Sequence, residues 1–158
     1  MKRFFLLILL AAALPVRAEL RVFACEPEWA ALVMELGGDK VNAWSATHAL
    51  QDPHRIEARP SLIARARNAQ LVVCTGAELE AGWLPAVLRE SGNAGVQPGR
   101  PGHFEAAALV ARLEIPLKLD RAEGDVHASG NPHIHLDPHN LLAVAAPLAK
   151  RMGELDAA

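Results

Sequence analysis

Tyrosine is absent from this sequence, and with three tryptophans and four phenylalanines the aromatic residues amount to only 4% of its 158 positions. Rings this scarce are expected in the core and in helix packing, so Trp29, Trp44 and Trp83 are read as packing residues and not as a binding platform. Cysteine is nearly absent as well: Cys25 and Cys74 are the whole complement, and the lack of thiols paired close in the chain argues against a thiolate metal cluster. No apolar run approaches the roughly 20 residues of a bilayer-spanning helix. Positive charge is not in excess, since 16 basic residues stand against 18 acidic ones, which speaks against a nucleic acid partner. Neither a His-Glu-x-x-His helix nor a nucleophile elbow occurs, so the usual signatures of a zinc or serine hydrolase are missing. Repeats of about 20–50 residues and low-complexity tracts are missing too. The length allows one domain with a real core and excludes a second of full size.

What is present begins with a leader. Lys2 and Arg3 precede the apolar run 4–14, and Val16-Arg17-Ala18 closes on a small residue, the pattern of a secretory signal peptide over residues 1–18. Lys2, Arg3 and Arg17 depart with it, leaving 13 basic against 18 acidic residues, a net charge of −5 with neutral histidine and no membrane span after cleavage. Val22-Phe23-Ala24-Cys25 makes a poor lipobox, because Phe23 is bulky and Glu19 and Arg21 are charged.

Residues 20–25 read as a strand, and Pro27 opens a helix carrying Trp29, Leu32, Val33 and Leu36 that stops at Gly37-Gly38. A second strand is expected at 40–45, a helix from Pro60 to near Asn68, and a buried strand at 71–74. A helix over 78–90 would place Glu78, Glu80 and Glu90 on an exposed face. Then follow a Gly- and Pro-rich loop at 91–102, an irregular Ala-rich segment at 104–113, a strand-like 115–119 and a helix over 140–152. Strands alternating with helices predict an α/β fold, a small and mostly parallel sheet flanked by helices, with right-handed crossovers. Cys25 and Cys74 each end a strand in that topology. In an oxidising compartment they either form a bridge or remain two buried free thiols.

Seven histidines occur, four of them between 127 and 139. One tripeptide recurs: Asp52-Pro53-His54, Asn131-Pro132-His133 and Asp137-Pro138-His139. Proline fixes its own φ and restrains the residue before it, so each copy offers an imidazole from a stiff loop. The preceding Asp or Asn is placed to hold a ring nitrogen. His54 follows the second strand, on the side where open α/β sheets bind ligands. Neutral imidazoles suit zinc, copper, nickel and iron better than calcium or magnesium.

Phe23-Ala24-Cys25-Glu26-Pro27-Glu28-Trp29, Gln51-Asp52-Pro53-His54 with Glu57-Ala58-Arg59-Pro60-Ser61, and Thr75-Gly76-Ala77-Glu78-Leu79-Glu80 with Gly82-Trp83-Leu84-Pro85 follow one another in order. Gly124-Asp125-Val126-His127, Gly130-Asn131-Pro132-His133 and Leu136-Asp137-Pro138 complete the series. With these motifs the chain resembles the metal-binding periplasmic solute-binding proteins of zinc and manganese ABC transporters. The resemblance implies two lobes, each a small sheet with flanking helices, joined by a long rigid helix with the metal held between them. It makes His54 the first ligand and His133 the second, with His127 on the approach as a residue that captures or relays metal. His135 and His139 are not carried over. Residues 19–158 are then the N-terminal metal-binding lobe, without the second lobe, the connecting helix or the His and acidic ligands these would supply.

The implied function is capture of Zn2+, in preference to Mn2+ because both recognisable ligands are neutral nitrogen donors. Delivery to an ABC transporter membrane permease would follow, by a periplasmic monomer that catalyses no reaction, with a periplasmic metallochaperone as a second partner. Glu57 is read as a carboxylate favoured by the start of a helix. Two other readings stay open: a zinc hydrolase using His54, His133 and Glu57 or Asp137, and a small periplasmic zinc buffer or metallochaperone built on the 127–139 cluster.

Overall fold

The computed structural model describes residues 19–119, 122, 124 and 126–156; the segment 1–18, read above as a signal peptide, lies outside them. Four strands, β1 (Leu20–Ala24), β2 (Val41–Ser45), β3 (Leu71–Cys74) and β4 (His103–Glu105), pair in parallel in the order β2-β1-β3-β4. Four helices accompany them: α1 (Pro27–Gly37), α2 (Pro60–Asn68), α3 (Leu84–Ser91) and α4 (Pro138–Leu155). Each helix carries proline in its first two positions, where the fixed φ suits a helix and the missing N–H would have had no partner.

Alternation along the strands divides the core in two. Leu20, Val22, Ala24, Leu71 and Val73 pack with Trp29 and Val33 of α1 and Val144, Leu148 and Met152 of α4. Phe23, Cys25, Val72 and Cys74 point to the other face, against Leu62 and Ala66 of α2 and Val87 and Leu88 of α3. The chain steps from β1 outward to β2, then crosses back over β1 to β3. The loops leaving β1 and β3 therefore diverge and open a crevice at the carboxyl edge. Here that crevice is filled. Cys25 and Cys74 are joined in a disulfide with their Cα atoms 4.8 Å apart, which decides between bridge and free thiols, and Glu26, Thr75 and Glu80 are buried beside it.

Five expectations need correction. The third helix begins at Leu84 and not at 78, because Ala77 and Glu78 sit at φ 51° and 71° in turns that bring the Glu80 carboxylate onto the backbone N–H groups of Thr75 and Gly76. Glu80 is in consequence buried, not on an exposed helix face. Residues 115–119 form no strand: Ile115, Leu117 and Leu119 are all exposed, Pro116 lacks a ladder donor, and the edge of β3 is already taken by β4. That fourth strand falls in a stretch expected to be loop and irregular chain, since three residues with only Phe104 buried carry no readable alternation. The last helix starts at Pro138, two residues early, because the Asp137 side chain accepts from the His139 N–H and caps it. Among the described residues no helix is long and apolar enough to cross a membrane.

Candidate metal centre

The three Asx-Pro-His tripeptides share one local geometry. Asp52 Oδ1 accepts the backbone N–H of His54 at 3.0 Å and lies 2.8 Å from its ring Nδ1. The matching distances are 3.0 and 2.9 Å for Asn131 with His133, and 2.8 and 3.0 Å for Asp137 with His139. Proline restrains the Asx residue before it, and the short side chain folds over to bond two residues ahead. A carboxylate only accepts, so in Asp52–His54 the proton sits on Nδ1 and the lone pair on Nε2. This is the tautomer in which Nε2 ligates metal. The same contacts leave their mark on the acids: the His54 ring holds Asp52 below its usual range, and the His139 backbone N–H, then its ring, do so for Asp137.

Two copies of the tripeptide meet and the third does not. His54 Nε2 lies 2.9 Å from His127 Nε2 with the rings stacked at 5.0 Å between centroids. The His133 ring is 6.4 Å from that of His54, and His135 stands 6.2 Å beyond His133 with its Nδ1 3.3 Å from Glu28 Oε1. Since His54 Nε2 is the acceptor, His127 Nε2 donates. A cleft of ≈ 390 Å³ has His127, His133, Glu114 and Asn131 on its walls. His139 opens α4 with its side chain 89% exposed, and His103 pairs with Glu105 at 3.2 Å on β4. His48 Nδ1 accepts the Leu50 N–H. The tightest group of three ligand-type atoms among the described residues is Cys25, Cys74 and Glu80, where both sulfurs are already joined.

Hydrogen bonds fasten the histidine loops to the sheet's carboxyl edge. Trp83 Nε1 donates to the Pro53 carbonyl at 2.8 Å, and a Cβ at Gly82 would come 3.0 Å from the His54 carbonyl, so the turn before α3 seats the His54 loop. Glu78 Oε2 accepts the Ala128 N–H at 2.7 Å beside His127. Beneath them lies a buried carboxyl pair that the motif pattern did not reveal as such. Glu80 receives the N–H groups of Thr75 and Gly76, while Glu26 Oε2 receives the Thr75 hydroxyl at 3.1 Å and Oε1 has no donor. Burial, with the adjacent Glu80 carboxyl second, pushes Glu26 up to about 10. Glu26 is therefore the protonated member, and burial raises Glu80 as well. Their neighbours Thr75 and Trp29, joined at 2.8 Å, were the available hint, because polar groups in a crevice need partners.

The model of the family described as zinc-uptake complex component A, periplasmic (ZnuA), matches residues 22–158. Among curated proteins the chain is 26% identical over 144 residues to the metal ABC transporter substrate-binding lipoprotein ScbA of Streptococcus cristatus, covering 89% of this chain and 43% of that one. It is likewise 26% identical over 142 residues to the manganese ABC transporter substrate-binding lipoprotein scaA of Streptococcus gordonii, covering 88% and 43%. A crystal structure of ZnuA superposes with a TM-score of 0.69 at 24% identity, over 88% of this chain and 48% of that one. The manganese-bound periplasmic metal binding protein of Candidatus Liberibacter asiaticus gives 0.56 at 17%, over 86% and 50%. The chain thus spans about 43% of the length of the curated relatives it matches.

Proposed function

The chain belongs to the zinc-uptake complex component A family, whose members are solute-binding components of metal transport and not enzymes, and from that premise we propose that it captures zinc in the periplasm for an ABC transporter permease. Its residues 19–158 act as the N-terminal metal-binding lobe. His54 and His133 are the ligands, and His127, beside His54, captures or relays metal on the approach.

The observation that carries this reading is the 2.9 Å approach of His54 Nε2 to His127 Nε2, made while Asp52 keeps the His54 proton on the opposite nitrogen. Two imidazole nitrogens facing each other this closely hold a proton or a cation between them. Zinc takes imidazole nitrogen at about 2.0–2.1 Å in a tetrahedral shell, so a small rotation of either ring admits it, and a fourth position is left for water or another donor. Zinc is favoured over manganese because the donors gathered are neutral nitrogens, whereas manganese suits carboxylate and carbonyl oxygen. Binding needs deprotonated imidazoles, so capture weakens as the histidines protonate in acid.

The test is a zinc titration of the purified chain against a competing chelator, beside His54→Ala and His133→Ala, and repeated with manganese. One-to-one zinc binding lost in both variants, with manganese bound more weakly, is the expected result. Binding unchanged in both variants overturns the assignment and moves metal to the exposed 127–139 cluster.

A further inference from the structure

The two tripeptides that converge differ in one atom group: Asp52 backs His54 with a carboxylate, whereas Asn131 backs His133 with a neutral amide. An amide presents either an acceptor or a donor to the ring, and only the first leaves His133 Nε2 free to ligate. A side chain outside both motifs removes the ambiguity. Asn131 Nδ2 donates to Glu114 Oε2 at 2.7 Å, so its Oδ1 is turned toward the N–H and Nδ1 of His133, at 3.0 and 2.9 Å. The chain around Glu114 is built to deliver this contact. Glu114 sits at φ 54°, a conformation that L residues adopt at some energetic cost. The Asn131 N–H donates to the Leu113 carbonyl at 2.8 Å, and Arg112 Nε donates to Ser129 O. Gly130, at φ 90°, has no room for a Cβ, which would lie 2.7 Å from Leu113 O.

We propose that Glu114 is a positioning residue for metal capture: through the Asn131 amide it gives His133 the tautomer and the negative charge that Asp52 gives His54 directly. Resting on the reading of His133 as a ligand, this adds a residue from a separate segment to the support of the site. The carboxylate accepts the amide N–H in a charge-assisted bond and draws electron density toward Oδ1. The Nδ1–H bond is thereby strengthened and Nε2 becomes the better donor. The backbone N–H of His133 favours the same amide orientation, and Glu114 both secures that orientation from the other side and adds charge.

The substitutions that test this are Glu114→Gln, which keeps the shape and removes the charge, Asn131→Asp, and the two together. Zinc affinity is expected to fall roughly ten-fold or more in Glu114→Gln. It falls in Asn131→Asp as well, where two carboxylates confront each other, and the double variant returns close to the parent because the introduced carboxylate then backs His133 as Asp52 backs His54. A residue that merely held the loop in place would give no such rescue. In the metal-free protein at pH 8, 15N chemical shifts of the His133 ring are expected to show Nδ1–H in the parent and in the double variant, and a mixture of tautomers in Glu114→Gln. Parent-like shifts and affinity in Glu114→Gln, or a double variant no tighter than that single one, would overturn the proposal. Zinc affinity unchanged by His133→Ala marks instead a failure of the ligand assignment, and the ring shifts, measured without metal, still decide the role of Glu114.

Discussion

At the scale of single residues, the orientation of the imidazoles in the proposed centre depends on side-chain oxygen atoms two residues before them. Asp52 supplies both bonds that orient His54, so Asp52→Ala is expected to lower zinc affinity about 10- to 100-fold with little change in melting temperature, as read by chelator competition and calorimetry. Glu26 makes the opposite kind of contribution. Its folded pKa of about 10 exceeds the ordinary 4.5, so between those values the native state keeps a proton that the unfolded chain releases. Stability from this group is complete below 4.5 and is lost as pH rises toward 10. Glu26→Gln, permanently neutral, is expected to show a flatter dependence of melting temperature on pH from 5 to 9 than the parent, with the two curves diverging toward alkaline pH. Parallel curves would place the proton elsewhere. The histidines were readable from the chain because proline repeats announce stiffness locally. The carboxyl pair was not, because Glu80 looks like any surface glutamate until the turn at 75–80 carries it inward.

At the scale of elements, the turn before α3 matters more to the site than the helix itself. Trp83→Phe keeps most of the buried ring volume but gives up the bond to the Pro53 carbonyl. It is expected to destabilise the fold by about 1 kcal/mol and to weaken zinc binding through the His54 loop, both measurable by denaturant titration with and without metal. A variant that loses stability but keeps affinity would confine Trp83 to the core. Legibility varied with periodicity. The helices beginning at Pro27 and Pro60 and the strand at 71–74 were evident, because Trp29, Val33 and Leu62 follow helical spacing and Leu71 to Cys74 is uniformly buried. The alternation at 115–119 misled, since pattern alone does not say whether a sheet edge remains to pair with.

At the scale of the whole molecule, a small and mostly parallel sheet was predictable from the succession of strands and helices, but its fourth strand at 103–105 was not, and in the order β2-β1-β3-β4 the loops bearing His54, His127 and His133 follow the carboxyl ends of the two outer strands. The disulfide closes a loop with a sequence separation of 49, worth about 4 kcal/mol in the chain-entropy account. A Cys25→Ala/Cys74→Ala variant is expected to lose stability of that order in urea melts, while its zinc affinity at low temperature, where it remains folded, stays close to the parent's. The bonds from Trp83 to Pro53, from Ala128 to Glu78 and from Asn131 to Leu113 join the histidine-bearing loops to their neighbours through protein atoms alone. The disorder those loops would otherwise surrender on meeting a cation is already gone when the chain has folded. On the proposed reading, capture then runs close to the pace at which the ion sheds its water, because only the hydrogen bond between the two facing rings is left to give way.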